Sequence, residues 1–234
     1  MKITQVERQK KNSKRFNIYL DGKFAFGADD DSLVDHRLIV GKELSQDDFE
    51  RILFATEVGK LMERMYGLFS VRVRSEKEVR EYLRQLNFKR KLKDKEDLSD
   101  TVMNALIERL KQKDLLNDER FAAEWIHARR SSKQKGINAI KSELYQKGIE
   151  REIIDRLLDP RLRGDDREAE LDGFGNVIDS SEEGLAMKAL EKKVRNPELL
   201  VDVKEKQRIL GFLMRKGFSY DVARSTIESF LKNV

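Results

Sequence analysis

Hydrophobic residues recur at helical spacing in three stretches of the chain. Each stretch places an apolar residue, a second four positions later, a helix-terminating residue and a third apolar residue. The copies are Val79-Leu83-Asn87-Phe88, Ile140-Leu144-Gly148-Ile149 and Ile209-Leu213-Gly217-Phe218. Residues four apart share a helical face, and Gly, or next Asn, ends helices because it tolerates the left-handed conformation. The sequence therefore predicts repeated helical units, which favour a function on an extended surface over one in a pocket.

Helix-start signals extend this pattern into three units of three helices. A Ser or Asn followed by acidic residues satisfies and complements the first helical turn. Such signals occur at Ser45, Ser75-x-x-Glu78, Asn117, Ser180-x-x-Glu183 and Ser219. The predicted helices are 56–70, 75–87 and 98–113, then 118–134, 136–147 and 150–158, then 184–195, 205–216 and 219–232. Pro160 and Pro197 fall between them, as the missing proline N–H requires.

The first part of the chain has a different, two-residue periodicity. Apolar residues alternate from Phe16 to Leu20, Asp21-Gly22 follows, and a second run begins at Lys23. Alternation around Asp-Gly predicts a β-hairpin, since both central turn residues adopt positive φ. Residues 3–7 are a candidate third strand, which gives a small sheet over 1–27 that caps the first repeat. Asp29-Asp30-Asp31 precedes a short apolar-periodic run and predicts a helix start.

The predicted fold is mainly α, with tandem three-helix repeats that form a curved, elongated, solenoid-like array behind a small antiparallel β extension. The predicted domains are the extension at 1–44, a first repeat at 45–114, a second at 117–159, an acidic flexible insertion at 161–183 and a third repeat at 184–234.

Charge is distributed unevenly along the chain. Residues 164–184 hold eight acids and one Arg, a net charge of −7, whereas the whole chain is +5, so the remainder carries +12. That balance suits contact with nucleic acid or an acidic protein surface, and it equally suits a well-solvated helical surface.

Cysteine is absent, which excludes disulfides and thiolate metal sites. No apolar run nears the roughly 20 residues of a membrane span, and the N-terminus lacks a secretory apolar core. A cytoplasmic location is expected.

Residues typical of catalysis are sparse. The two histidines, His36 and His127, are far apart in sequence and have no nucleophile signature nearby. The segment that begins at Gly173 resembles half of a dinucleotide loop but follows no predicted strand. Trp125 has the spacing of a buried helix face, with Phe121, Ala122 and Ile126. We therefore expect neither an enzyme, nor a metal site, nor a cofactor.

Basic residues cluster where the first and second helices of each unit meet. The candidate binding residues are Arg72, Arg74, Arg129, Arg130, Lys133, Lys135, Lys192, Lys193 and Arg195. Stacked repeats would align these groups into a row that tracks phosphates or pairs with carboxylates. The alternative is that they stabilise helix C-termini, where positive charge is favourable.

Two segments carry distinctive motifs. The first is Arg72-x-Arg74-Ser75-x-x-Glu78-Val79-x-x-x-Leu83. The second runs from Phe121-Ala122-x-x-Trp125-x-x-x-Arg129 through Lys135-Gly136-x-x-x-Ile140-x-x-Glu143-Leu144-x-x-Lys147-Gly148-Ile149. Both segments resemble the RecX regulatory proteins. The resemblance covers about 58–158 and continues as the repeat pattern over 184–232. The N-terminal sheet resembles the extension of longer members.

This resemblance implies a modular helical protein that binds the bacterial recombinase RecA. Such proteins are expected to lie in the groove of the RecA–DNA filament, to suppress its ATPase, strand-exchange and coprotease activities, and so to act in DNA repair, recombination and the SOS response. The expected partners are the RecA nucleoprotein filament and single-stranded or duplex DNA, with no membrane and with the protein a monomer. The alternative is a stand-alone nucleic-acid-binding helical-repeat protein, and a hydrolase is a remote third class.

Overall fold

The computed structural model describes residues 1–10, 12–159, 181–194 and 202–232. The chain divides into two compact units, Met1–Leu116 and Asn117–Val234. The predicted class, mainly α with a small N-terminal antiparallel sheet and repeated three-helix units, is confirmed. Pro160, Pro197, the Gly173 loop, Ser180 and most of the predicted acidic insertion lie outside the described residues.

The N-terminal sheet has three antiparallel strands in chain order, β1 (Ile3–Arg8), β2 (Arg15–Leu20) and β3 (Lys23–Asp29). The hairpin turn is as predicted, since Asp21 and Gly22 have φ of 47° and 83°. The third strand is also confirmed. One face of the sheet packs onto Leu38, Leu44 and Ile52 from the following segment, which gives the extension its own apolar core.

Helix α1 (Asp30–Asp35) follows the sheet, and α2 (Gln46–Phe69) is the first helix of the first repeat. The α1 helix begins as predicted, because the Asp29 side chain accepts a hydrogen bond from the Ser32 amide. The α2 helix begins at the Ser45 signal, where Ser45 and Asp48 form a complete capping box. It therefore starts well before the predicted residue 56, as one continuous helix.

The first repeat is completed by α3 (Glu76–Lys91) and α4 (Asp100–Gln112). The prediction that Asn87 ends α3 is wrong, because the helix continues four residues further. The Asn87 side chain instead donates to the Leu98 carbonyl at 3.1 Å and accepts from the Leu98 amide at 2.6 Å. An amide side chain offers both a donor and an acceptor, so Asn87 fastens the segment after α3 rather than reversing the chain.

The second repeat consists of α5 (Asp118–Lys133), α6 (Ile137–Gln146) and α7 (Arg151–Leu158), close to the predicted bounds. The Asn117 side chain caps α5. Phe121, Ala122 and Ile126 are buried as predicted, whereas Trp125, predicted on the same face, is only half-buried. Gly148 follows α6 with φ of +80°, as the terminator pattern predicts.

The third repeat contains α8 (Glu182–Lys193), α9 (Val203–Arg215) and α10 (Tyr220–Lys232). Ser181 caps α8 by accepting from the Gly184 amide, and Ser219 accepts from the Val222 amide. Gly217 follows α9 with φ of +97°, as predicted. Residues of all three helices share one apolar core. In the described part of the chain, none of the helices combines the length and apolar character needed to cross a bilayer.

Candidate nucleic-acid interface

The first pair of candidate cations lies between α2 and α3. Arg72 forms a bidentate ion pair with Glu78, with Nη–Oε distances of 2.7 and 3.1 Å. Ser75, between them in sequence, caps α3 by accepting from the Glu78 amide. The Arg74 side chain is partly buried, and its Nε has no hydrogen-bond partner in the structure. Arg72 is thus already engaged with a carboxylate at the start of α3.

Two other candidates, Arg129 and Lys135, contact the carboxylate of Glu143 on α6. Its carboxylate accepts hydrogen bonds from Trp125 Nε1 at 2.8 Å, from Arg129 Nε at 2.6 Å and from the Lys135 ammonium. The Arg129 guanidinium also lies 4.0 Å from the centroid of the Trp125 ring. Four residues of the family-like segment therefore form one connected set, which we name the Glu143 cluster: Trp125, Arg129, Lys135 and Glu143.

The charge state of Glu143 is fixed by this cluster. Partial burial raises the pKa of the carboxyl, but hydrogen bonds from Lys135, Arg129 and Trp125 lower it more. The resulting pKa lies below the ordinary 4.5, so Glu143 is ionised at neutral pH. Arg129 and Lys135 therefore pair with a carboxylate of the same repeat. Their main role is to stabilise the second repeat rather than to bind an external ligand.

The two candidates at the end of α5 differ in exposure. Arg130 is buried, with 9% of its surface exposed, and its Nε has no hydrogen-bond partner in the structure. Lys133 is exposed, and among the described residues its ammonium meets no carboxylate. Arg130 therefore offers little surface to an external ligand, whereas Lys133 is exposed.

In the third repeat, the candidates Lys192 and Lys193 are exposed at the C-terminal end of α8. The Lys192 ammonium donates to the side-chain carbonyl of Gln134, at 3.1 Å, and thereby reaches the end of α5. The Lys193 ammonium lies 5.6 Å from the centroid of the Phe212 ring. Arg195 lies outside the described residues.

Sequence reasoning missed Lys216, which joins this group from the end of α9. Its ammonium donates to the Lys133 carbonyl at 2.7 Å and lies 5.6 Å from the Phe212 centroid. Partial burial lowers the pKa of Lys216, and the charges of Lys192 and Lys135 lower it further. A usable signal existed, since Lys-Gly precedes the terminal apolar residue in two of the three copies, at Gly148 and Gly217.

These lysines converge because two glycines let the second and third repeats meet backbone to backbone. The Gly136 amide donates to the Lys216 carbonyl at 3.0 Å, and the Asn138 amide donates to the Gly217 carbonyl at 3.1 Å. A Cβ atom on Gly136 would lie 2.4 Å from the Gly217 carbonyl carbon. We name Lys133, Lys192, Lys193 and Lys216, which surround this contact, the junction lysines. In the described part of the chain, none of them is paired with a carboxylate.

The described residues contain no group of three His, Asp or Glu side chains placed to hold a metal ion. His127 is exposed on α5, and His36 follows α1. The features that stand out in the structure are therefore cationic side chains on repeated helices.

Family models match three parts of the chain. The model for the N-terminal domain of regulatory protein RecX matches residues 1–45. Models for the second and third three-helix domains of RecX match residues 117–158 and 181–227. Regulatory protein RecX of Bacillus subtilis strain 168 is 35% identical over 226 residues, which span 97% of this chain and 76% of that protein. The chain belongs to the RecX family.

Other RecX proteins agree in sequence and in structure. Regulatory protein RecX of Listeria monocytogenes strain EGD-e is 31% identical over 96% of this chain and 74% of its own length. A crystal structure of regulatory protein RecX superposes with a TM-score of 0.69 at 26% identity, covering 100% of this chain and 99% of that one. RecX from Lactobacillus salivarius shares the fold, with a TM-score of 0.56 at 22% identity, over 77% of this chain and 99% of its own.

Proposed function

We propose that this protein regulates the RecA recombinase, mainly as an inhibitor. It binds the RecA–DNA filament along the filament groove and lowers ATPase, strand-exchange and coprotease activity, without a catalytic step of its own. The observation that carries this proposal is the relationship to regulatory protein RecX across nearly the whole chain. The protein acts as a monomer in the cytoplasm.

The distribution of cations supports binding to a repeating, anionic partner. Candidate cations occur in every repeat, at Arg72 and Arg74, at Lys133, and at Lys192 and Lys193. Several modest contacts on one chain reinforce each other, because each contact raises the effective concentration of the next. A filament presents the same protein and phosphate groups at regular intervals, so a chain of tandem units suits it.

A second candidate function is stand-alone binding of nucleic acid. The observation that favours it is the junction lysines: the Lys192 ammonium donates to Gln134 Oε1 and the Lys216 ammonium to the Lys133 carbonyl, and among the described residues neither pairs with a carboxylate. Such a group attracts phosphates without any help from a recombinase.

The two functions are separated by RecA ATPase on single-stranded DNA, measured with increasing amounts of this protein. The regulator predicts loss of ATP turnover at protein concentrations well below that of RecA, because one bound molecule alters many subunits of a filament. Raising the DNA concentration is the control, since added DNA reverses simple competition for DNA but not regulation of the filament. Inhibition that follows only the free DNA concentration would contradict the regulator and favour the second function.

A further inference from the structure

A groove in the N-terminal unit lies between α2, α3 and the segment that follows α3. It has a volume of about 280 Å³. Its described lining residues are Glu57, Lys60, Leu61, Arg64, Leu86, Arg90 and Lys95. We name it the α2–α3 groove. None of its four cations belongs to the candidate residues from the sequence.

The groove has an excess of positive charge. Glu57 is the one carboxylate among its described lining residues, and it pairs with Arg90 at 3.0 Å. Among the described residues, no carboxylate forms an ion pair with Lys60, Arg64 or Lys95. Partial burial lowers the pKa of Lys60, and the charges of Arg15 and Arg90 lower it further, against an opposing effect of Glu57. An incoming anion relieves this repulsion.

The cations are held in place by the helices and by backbone hydrogen bonds. Lys60 and Arg64 are four residues apart, so they share one face of α2. Arg90 Nε donates to the Glu96 carbonyl at 2.6 Å, and the Lys95 amide donates to the Arg90 carbonyl at 3.1 Å. The Asn87–Leu98 hydrogen bonds fasten the far end of this segment. The groove walls are therefore formed before any ligand arrives.

The size of the groove limits the ligand. Pockets that enclose a small molecule have volumes of about 300–1,000 Å³ and bury most of the ligand surface. At 280 Å³, this groove suits one phosphate and its sugar, with the rest of the ligand outside. A continuous strand meets that description, because each phosphodiester carries one charge and the chain leaves the groove on both sides.

We propose that the α2–α3 groove binds a backbone phosphate of single-stranded nucleic acid through Lys60, Arg64 and Lys95, with Arg90 supporting them. This site adds a DNA contact in the N-terminal unit. The biological role of this site rests on the proposed function, whereas phosphate binding depends only on the residues of the groove.

The test is the binding of the full-length protein to a short fluorescein-labelled oligothymidylate, followed by anisotropy at several salt concentrations. In the triple variant K60Q/R64Q/K95Q we expect binding about tenfold weaker and a slope of log K against log salt reduced by about 0.7, which is the contribution of one phosphate contact on a single strand. The matched control K23Q/R84Q/K113Q removes the same charges from exposed positions in the same unit that do not line the groove. It should retain nearly all of the affinity.

A second variant is expected to have the opposite effect on the affinity for oligothymidylate. E57Q removes the groove carboxylate and releases Arg90, so we expect binding about threefold tighter with a steeper salt dependence. Circular dichroism establishes that each variant is folded. Equal loss of affinity in the groove and control triples, or E57Q binding no tighter than the unsubstituted protein, would overturn the proposal. So would calorimetric binding of ADP that the groove triple abolishes while oligothymidylate binding is unchanged, because the ligand would then be a free nucleotide.

No RecA is present in this assay. Failure of the ATPase test therefore leaves the groove proposal standing, and a failed groove test leaves the regulator proposal standing.

Discussion

At the scale of single residues, Glu143 explains why the family-like segment has its particular composition. Helical spacing predicts that Phe121, Ala122 and Ile126 are buried, and they are. It does not predict that Trp125, Arg129 and Lys135 converge on one carboxylate from the next helix. That convergence depends on the turn between α5 and α6, where Gln134 adopts a left-handed conformation with φ of 44°. A one-dimensional pattern carries no information on which helix faces meet across such a turn.

The Glu143 cluster leads to a pH-dependent prediction. In E143Q, two cations lose their anion, so we expect a loss of about 1–3 kcal/mol in the free energy of unfolding at neutral pH. Because the folded pKa of Glu143 is lowered from 4.5, its stabilisation is full above that ordinary value and disappears as the pH falls through the lowered pKa. Urea unfolding, monitored by the fluorescence of Trp125, measures the difference at each pH.

The control for this variant is E228Q, which removes an exposed carboxylate paired with Arg224 within α10. Surface pairs of this kind contribute little, so its stability should be nearly unchanged. A difference between E143Q and the unsubstituted protein that persists unchanged below both pKa values would contradict the assignment.

At the scale of elements, the helix-ending residue of each repeat predicts the helix end correctly where it is Gly. The prediction fails where that residue is Asn. Gly148 and Gly217 adopt positive φ just beyond α6 and α9. Asn87 remains helical because its side chain finds better partners at Leu98, eleven positions further along the chain. An Asn side chain can satisfy distant backbone groups, whereas Gly has no side chain to do so. Helix existence was therefore predictable from local signals, but this boundary was decided by a tertiary contact.

The contact between Gly136 and Gly217 gives a prediction about how repeats join. In G136A, the added methyl group meets the Gly217 backbone at 2.4 Å, and backbone cannot rotate away as a side chain does. We expect a loss of about 1–3 kcal/mol in the free energy of unfolding. Thermal unfolding followed by circular dichroism measures it.

The matched control is G67A, because a Cβ atom on Gly67 of α2 has no neighbour within 4 Å. Alanine there should stabilise the protein by about 0.5–1 kcal/mol. If G136A left the melting temperature unchanged or raised it as G67A does, the close backbone contact would not be a requirement of the fold.

At the scale of the whole molecule, the positive charge of the chain is distributed between paired and unpaired groups. Arg72, Arg129 and Lys135 contact carboxylates, whereas the junction lysines and the cations Lys60, Arg64 and Lys95 have no carboxylate partner within the part of the chain that the structure describes. Composition predicts the excess of charge, and clustering predicts some of its positions. Neither observation separates the two kinds of cation, because the carboxylates that pair with Arg72, Arg129 and Lys135 lie six to fourteen residues further along the chain.

This distinction predicts which cations determine the affinity for DNA. We expect K133Q/K192Q/K193Q to reduce the slope of log K against log salt for oligothymidylate by about 2, since three phosphate contacts are lost. The control K204Q/K206Q/K232Q removes three lysines from the N-terminal part of α9 and the end of α10 and should leave the slope nearly unchanged. An unaltered slope in the first variant, with folding intact, would remove the junction lysines from the DNA contact.

The extra turn of α3 makes the second helix of the first repeat longer than the corresponding helices α6 and α9. The buried faces correspond, since Val79 and Leu83 occupy the places that Ile140 and Leu144 occupy in the next copy. Arg90 exists on α3 only because the helix runs past the position at which its counterparts stop. Modules of this kind can specialise without any repacking of the interior, and the specialisation is encoded in helix length rather than in the composition of the core.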